Sequence, residues 1–563
     1  MGRCFVAPIV NPTPSPERIC LLTGGGYPYR RDALSGWCRT LVEGLRRFRF
    51  ELLTVTDREP PAVPAYPLPL NVGSARAVAI GRDFKRHEQL FEQRHEQREQ
   101  QHEQRHEQGR EQRHERDHGG DGRNSGRPDG EQGKEKKPSR QEKRETAERA
   151  RAAAALLCTG LIGEADDSER IFGDGLRQLA DDTRVLPGLP LADALMDAWR
   201  TGHAEPGELP LPRLSVRDAR TAATLLRHAL GALTVELPDA DLVHCIGGTT
   251  PLLTALAGRR RQGVPLLLTE ARTPVARHKP HEERLSPAVR TILRRFRGSV
   301  ARTGYAEAGL IAPLSAYHHS WALRHGAHAA KLVQVPAGVD PSEYPGAAEP
   351  ESDPAVVWAG SGGPDSGLSP LLAAFEQVAA ALPGTVLHLV GVTAAHEDYC
   401  AEQIERTGLG RAVRLHPLPA DPRDRYTAGH VVAHVPGPAD PPYRLVEAMM
   451  SGRAVVGVDV GPAAETLGDA GVLVEPGDPA ELAIAIVGLL RAPGRRRALG
   501  DAARRRALMH FTNDRVVRVY GALYADLAAP PPPPAFELAL AVPAPRSEPP
   551  VTLRWLVSER TDG

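Results

Sequence analysis

Residues 441–479, PPYRLVEAMMSGRAVVGVDVGPAAETLGDAGVLVEPGDP, constrain the fold of this chain more than any other stretch. Pro442 stands where a short helix begins and Gly452 just past where it ends, the usual placing of these two residues, and the helix between them carries Glu447. Ala454 to Val458 is a short unbroken apolar run, the pattern of a strand buried on both faces. Gly461 and Pro462 then open a second helix bearing Glu465, and Gly471 to Val474 reads as one more strand. Strands and helices alternating at this spacing predict a parallel α/β sheet. Ligands of such sheets bind beyond the carboxyl ends of the strands, where helix N-termini point. Asp459-Val460-Gly461 occupies such a loop; on pattern alone it is an ordinary turn with solvated carboxylates.

The same alternation recurs twice along the chain. Arg18 to Thr23 reads as a first strand, followed by Gly24-Gly25-Gly26 and a helix over Ser35 to Arg47, with Trp37, Leu41, Leu45 and Phe48 at helical spacing. Arg49 to Val55 is the next strand. The glycine run fits a phosphate cradle or a simple tight turn equally well. Helices follow at Thr146–Leu157 and on to Leu233, then PDADLVHCIGGTTPLLTALAGRRRQGVPLLLTEA gives strand, Gly-rich loop, helix, strand. His244 directly follows the first of these strands, Thr269-Glu270 closes the second, and Pro287–Arg297 is helical. A second series starts at Ala355–Gly360, with a helix over Leu368–Leu382, strands in VLHLVG and AVRLHPL, and His430–Val435 leading into the opening stretch.

Within the first of these series the composition changes. Residues 86–148 are a degenerate HEQR repeat running into a Gly/Lys/Arg/Asp tract, too poor in apolar residues to offset the entropy of ordering. His102/His106 and His114/His118 have the spacing of helical metal ligands, but repeat expansion is the better explanation and no catalytic role is assigned to them. The segment from Ala528 is Pro-rich and reads as an extended tail. The 563 residues, 41% hydrophobic, suffice for two or three domains with full cores. A net charge of +0 gives no reason overall to expect nucleic acid or an anionic membrane as a partner. No apolar run approaches the ~20 residues of a membrane span. The N-terminus lacks the layout of a signal peptide, and six scattered cysteines without a CxxC pair read as buried thiols in a reducing compartment, so a cytoplasmic protein without metal or cofactor is expected.

The run LVEAMMSGRAVVGVDVGPAAE…GVLVEPGDPAELAIAI resembles the donor-sugar segment of glycosyltransferase family 4, the retaining family with the two-domain GT-B fold. The resemblance implies two Rossmann-like parallel-sheet domains facing across a cleft, and a nucleotide-sugar donor such as a UDP-sugar. It assigns the ribose to Glu447 and lays Val460, Gly461 and Pro462 against the sugar and phosphates. GGGYPYRRDALSGWCRTLVEGLRRFRFELLTV is similar to the opening of the PelF-like exopolysaccharide branch, G-x-Y-P-Y-x-x-G-G-V-S-x-W, with Tyr27, Pro28, Tyr29, Ser35 and Trp37 in agreement and Gly25 and Gly26 on the donor side. Pro336, Gly338, Val339 and Asp340 match the family's interdomain turn P-N-G-[IV]-D. The implied organisation is a first domain over 1–85 and 146–340, a disordered insertion over 86–145, a nucleotide-sugar domain over 341–528 and a tail over 529–563.

The departures from the family pattern fall on positions that meet ligand. The paired glycines are Asp32 and Ala33, and a carboxylate there repels a pyrophosphate. The cleft His of a Thr-Glu-His-Gly stretch is Ala271, and the Asn of the interdomain turn is Ala337. The G-R-x-x-x-x-K clamp, which stabilises charge on the departing diphosphate, has Ser361 and Ser366 for its Arg and Lys. The acidic residue eight positions before Glu447 is Ala439. Losing one preorganised donor typically costs ~10²–10³ in rate, so losing several leaves little turnover. Arg444, Arg272 and the pair Arg30-Arg31 are candidate replacements, but no Lys or Arg lies between Pro341 and Gln403. Three readings stay open: a transferase with a rebuilt donor site, taking a nucleotide-sugar and a glycan acceptor; a catalytically silent partner or regulatory subunit; and an interaction protein working through its HEQR tract and Pro-rich tail. A membrane partner of polysaccharide synthesis fits the first two, with this chain itself not membrane-spanning.

Overall fold

The computed structural model describes residues 18–528 apart from 58, 60–62, 81–138, 164, 203–209, 272–281, 283, 365, 420 and 438–440. Most of the expected insertion, both histidine pairs within it and the Pro-rich tail therefore lie outside the described residues, as do Arg272 and Ala439.

Two six-stranded sheets organise the chain. The first contains β1 (Arg18–Gly24), β2 (Arg49–Thr56), β3 (Val72–Ala79), β4 (Leu242–Ile246), β5 (Leu266–Glu270) and β6 (Leu310–Pro313), in the order β3-β2-β1-β4-β5-β6. The second contains β7 (Ala355–Ala359), β8 (Val386–Val390), β9 (Val413–His416), β10 (Val431–His434), β11 (Ala454–Val458) and β12 (Val472–Val474), in the order β12-β11-β10-β7-β8-β9. Every strand pair is parallel. The strand order reverses between β1 and β4, and again between β7 and β10, so each sheet has the crevice of a doubly wound fold at its carboxyl edge. Helices cover both faces, which is why β4, β5 and β11 are buried at every residue. This is the GT-B architecture: two Rossmann-like domains facing across a cleft.

Four elements differ from the sequence expectation, each for a local reason. β3 was not anticipated, because VGSARAVA carries only small or polar residues at several positions and sits at the sheet edge. The helix expected from Thr146 starts six residues earlier, at Arg140, and runs to Ile162 (α2, after α1 at Ala33–Gly44), since Ser139 and Glu142 form a reciprocal capping box there. The helix from Pro287 continues to Glu307. His244 lies inside β4, not after it, and is fully buried.

The position of His244 explains how the two halves join. The last helix, Asn513–Ala528, returns to the first sheet and brings Tyr520 and Tyr524 against β4 and β5. His244 Nδ1 meets the Tyr524 hydroxyl at 2.8 Å and Nε2 meets Thr269 Oγ1 at 2.7 Å, while Thr269 Oγ1 also meets the Tyr520 hydroxyl at 2.6 Å. The imidazole stacks on Tyr520 at 5.2 Å and packs edge-on to Trp37. Burial pushes His244 from its ordinary value to about 3. The native state therefore holds this ring neutral while the unfolded chain takes up a proton below pH ~6.5. Stability is full above that pH and falls as pH drops toward 3, by up to about 1.4 kcal/mol per pH unit. His244→Phe is expected to flatten this slope in urea titrations at pH 7 and pH 4.5; an unchanged slope would place its source elsewhere. Gly338 sits at the crossing between the halves, where an added Cβ would lie 2.4 Å from Val516 and 3.0 Å from the Thr512 carbonyl.

Candidate functional site

The carboxyl ends of the first sheet's strands are shaped by β1 and its loop. Thr23 Oγ1 and Thr54 Oγ1 both donate to the Tyr27 carbonyl, at 3.0 and 2.8 Å, and the Tyr27-Pro28 bond is cis. Gly25 has φ +72°, which favours glycine, and the Gly26 carbonyl accepts from the amides of Tyr29 and Arg30. Asp32 is the N-cap of α1: its Oδ1 accepts from the Ser35 amide at 2.8 Å. The sequence reading had it as a free carboxylate facing a pyrophosphate; the structure engages it in closing the helix terminus that would otherwise attract an anion. Ala33 is the first residue of that helix. Arg31 donates to the Ala65 carbonyl and lies over the Tyr66 ring, while Arg30 is exposed. Ala271 and Ala337 are fully buried in the apolar cluster shared by the two halves, so neither position presents its side chain to an open cleft.

In the second half, Gly360–Gly367 joins β7 to the helix Leu368–Ala381 (written α9; α3 to α8 are Ala165–Asp181, Leu191–Thr201, Val216–Leu230, Thr249–Gln262, Pro287–Glu307 and Ala316–Arg324). Gly367 is its N-cap, at φ +74°, and a Cβ there would stand 2.1 Å from the Val435 carbonyl, so only glycine brings this loop against the end of β10. The loop is folded upon itself. The Ser361 carbonyl accepts from the Thr393 amide at 3.1 Å, with His396 Nδ1 also at 3.1 Å. Both the amide and the hydroxyl of Ser366 donate to the Gly363 carbonyl, at 2.9 and 2.5 Å. The N-terminus of α9 has no side-chain cap, and neither has α6 beyond Gly248 in the first sheet. These amides are open donors beside the two crevices, but the loop carries no cation.

Glu447 lies on α11 (Tyr443–Met450; α10 is Glu397–Arg406) and is 5% exposed. Its Oε2 accepts from Arg425 Nη1 at 2.5 Å and from the Tyr426 hydroxyl at 3.1 Å. Arg425 Nη1 also donates to the Tyr344 hydroxyl at 2.9 Å, and the guanidinium lies over that ring. Burial alone would lower the Arg425 pKa, but the charge of Glu447 holds it above its ordinary value. Burial, then Glu447, pushes the Tyr426 hydroxyl well up. The carboxylate matched to the family's ribose ligand is thus one end of a buried ion pair beside the linker that joins the halves. Sequence reasoning missed Arg425, and nothing in the short 3-10 turn Pro422–Tyr426 signals it. The only available hint was that a buried Glu needs a cation.

Arg444 stands in the first turn of α11, half-buried and without an ion pair among the described residues. Its neighbour His434, at the end of β10, is pushed down to about 4 by burial and then by the Arg444 charge. The next loop holds Val460, half-buried, Gly461 at φ +61° and Pro462, buried, ahead of α12 (Ala463–Leu467). Glu465 on α12 reaches across the cleft, and its Oε1 accepts from the Ala316 amide at the start of α8 at 2.9 Å. Burial raises its pKa. It is an interdomain cap, where the pattern reading expected a solvated carboxylate. Trp37 of α1 packs within 6.5 Å of Tyr443 of α11 in the buried apolar cluster that the two halves share.

The model of the glycosyl transferases group 1 family matches residues 353–492, the second sheet with its helices. Together with two facing Rossmann-like sheets, this match puts the chain in the class of the GT-B glycosyltransferases. Residues 17–125 and 130–330, more than half of the chain, match a domain of unknown function (DUF3492), and the chain belongs to that family. No curated protein matches the chain. Among solved structures it is similar to a sucrose-phosphate synthase from Thermosynechococcus elongatus, with a TM-score of 0.53 and 16% identity over 91% of this chain and 99% of that one. It is also similar to an α,α-trehalose 6-phosphate synthase from Burkholderia multivorans, with a TM-score of 0.50 and 14% identity over 91% and 97% of the two chains. At such identities these likenesses speak for the fold. No helix of the described residues is long and apolar enough to cross a membrane.

Proposed function

We propose that this chain is a family 4 glycosyltransferase homologue of the PelF-like exopolysaccharide branch that keeps the donor-binding framework and has lost sugar transfer, acting as a partner or regulatory subunit of cytoplasmic glycan synthesis. The observation that carries the reading is the loop Gly360–Gly367. Its serines at the clamp positions are engaged in holding the loop together, and no Lys or Arg lies between Pro341 and Gln403 to take their place. Expelling a nucleoside diphosphate builds negative charge that such a site leaves to backbone amides alone. Glu447 supports the same reading, because Arg425 and Tyr426 already occupy its Oε2.

A second reading, an active transferase with a rebuilt donor site, is favoured by Arg444, a half-buried cation with no carboxylate partner among the described residues. Calorimetric titration with UDP and GDP, alongside release of nucleoside diphosphate from UDP- and GDP-sugars, separates the two. The silent reading expects weak nucleotide binding and no release above background. Robust release that Arg444→Ala abolishes would defeat it and establish the rebuilt site.

A further inference from the structure

A parallel strand pair is ordinarily joined by a crossover helix. Between β2 and β3 the chain instead runs through TDREPPAVPAYPLPLN, where Pro60, Pro61, Pro64, Pro67 and Pro69 forbid one. From residue 63 onward this connection is a strap laid along the outer side of α1. Its upper part is pinned to the β1 loop: the Ala65 amide donates to the Pro28 carbonyl at 2.8 Å, and Tyr66 packs on Tyr27 at 5.6 Å. Its lower part is pinned by Asn71, whose Nδ2 donates to the Val42 carbonyl at 2.8 Å and whose own carbonyl accepts from the Phe50 amide at 2.8 Å.

Held at both ends, the strap thrusts leucines outward. Leu68 is 40% and Leu70 106% exposed, so Leu70 touches nothing that shields it. Two exposed leucines among stiff prolines are not needed to close the core, since β2 and α1 bury their own apolar faces beneath. The contacts of Asn71 set Leu70 next to the end of α1 and the start of β2, where Arg46, Arg47 and Arg49 are all exposed. Among the described residues Arg46 and Arg47 hydrogen-bond backbone carbonyls, of Glu43 and Gly521, Arg47 also lies over the Phe48 ring, and of the three Arg49 alone meets a carboxylate, Glu51.

We infer that the Leu68–Leu70 tip with its flanking arginines is a docking surface for an anionic lipid bilayer, which would hold the first domain at a membrane face. The chemistry favours lipid over protein: an apolar tip too small for a stable protein interface suits the acyl boundary, and the exposed guanidinium groups around it, Arg46 and Arg47 without a carboxylate among the described residues, suit phosphate headgroups. A net-neutral chain needs such a local concentration of charge to associate with an anionic surface at all.

Sedimentation of the full chain with vesicles tests this. The wild-type chain is expected to sediment with phosphatidylglycerol-containing vesicles, less at high salt, and little with phosphatidylcholine alone. Leu70→Ser should lower partitioning about tenfold, as the transfer of one leucine side chain out of water is equivalent to one or two decades. Leu68→Ser/Leu70→Ser should reach background, and Arg46→Glu should lower partitioning on anionic vesicles several-fold. Ile484→Ser, at a residue 72% exposed in the second domain, should change nothing. A wild-type chain that stays in the supernatant, or a double-serine variant that still sediments, would overturn the inference. Self-association without vesicles that the double variant abolishes would overturn it too, in favour of a second copy as occupant.

Discussion

Glu447→Ala is expected to destabilise the second domain by about 3–5 kcal/mol, the cost of leaving the Arg425 guanidinium buried without its counter-charge. The two side chains are only 13% and 6% exposed, so water replaces little of the lost interaction. Arg425 Nη1 would keep the Tyr344 hydroxyl, which is neutral. The Tyr426 hydroxyl would keep the Arg444 carbonyl at 3.1 Å. Arg425→Met/Glu447→Leu, which removes both charges and refills the volume, should recover most of the loss, because a well-packed apolar pair is commonly as stable as a buried ion pair. Urea unfolding of the wild type and these two variants reads this out. A loss below about 1 kcal/mol for Glu447→Ala would mean that the pair is open in solution and the carboxylate free for a ligand. A large loss with large recovery makes the pair a structural bolt, and any ribose would then have to displace Arg425 to reach Glu447.

That ion pair also marks where the sequence was legible and where it was not. β11 and its flanking helices were readable because a strand buried on both faces leaves an apolar run between glycine and proline punctuation, and Ala454–Val458 has both. Alternation of such runs with helices was enough for two parallel sheets. Glu465 and His244 were misread because their partners lie far along the chain, whereas Asp32 resembles a damaged glycine until its carboxylate is seen capping α1 through the Ser35 amide, three residues on. Glu465 reads as solvated until α8, 149 positions away, presents it with an amide. His244 reads as the residue just after a strand until the last helix, 280 positions on, brings Tyr524 to it. Local pattern carries periodicity and punctuation; it carries no information on which distant group satisfies a buried polar atom. The strand β3 was missed for another reason, since an edge strand needs only one buried face and its residues are small.

Ser361→Arg/Ser366→Lys is expected to tighten binding of a nucleoside diphosphate by one to two decades per charge that finds a phosphate, since a hydrogen bond to a charged group contributes roughly 1.5–3 kcal/mol. The loop should tolerate both changes. Ser361 holds it through its carbonyl, which any residue supplies, and the Ser366 amide keeps its bond to the Gly363 carbonyl when the hydroxyl is gone. Gly367 keeps the loop close to the end of β10 and the uncapped terminus of α9, so new cations would enter beside open amide donors. Calorimetry with UDP and GDP measures the gain, with Ser361→Gln/Ser366→Gln as the uncharged control. Equal affinity for the charged and uncharged variants would show that this loop does not meet the diphosphate, and the silent reading would lose its carrying observation. Tighter binding without transfer would separate two roles that the family joins in one site. Nucleotide would then be held by the restored clamp, while chemistry would still lack the His replaced by Ala271, whose side chain is buried in the shared core and cannot be restored without opening it.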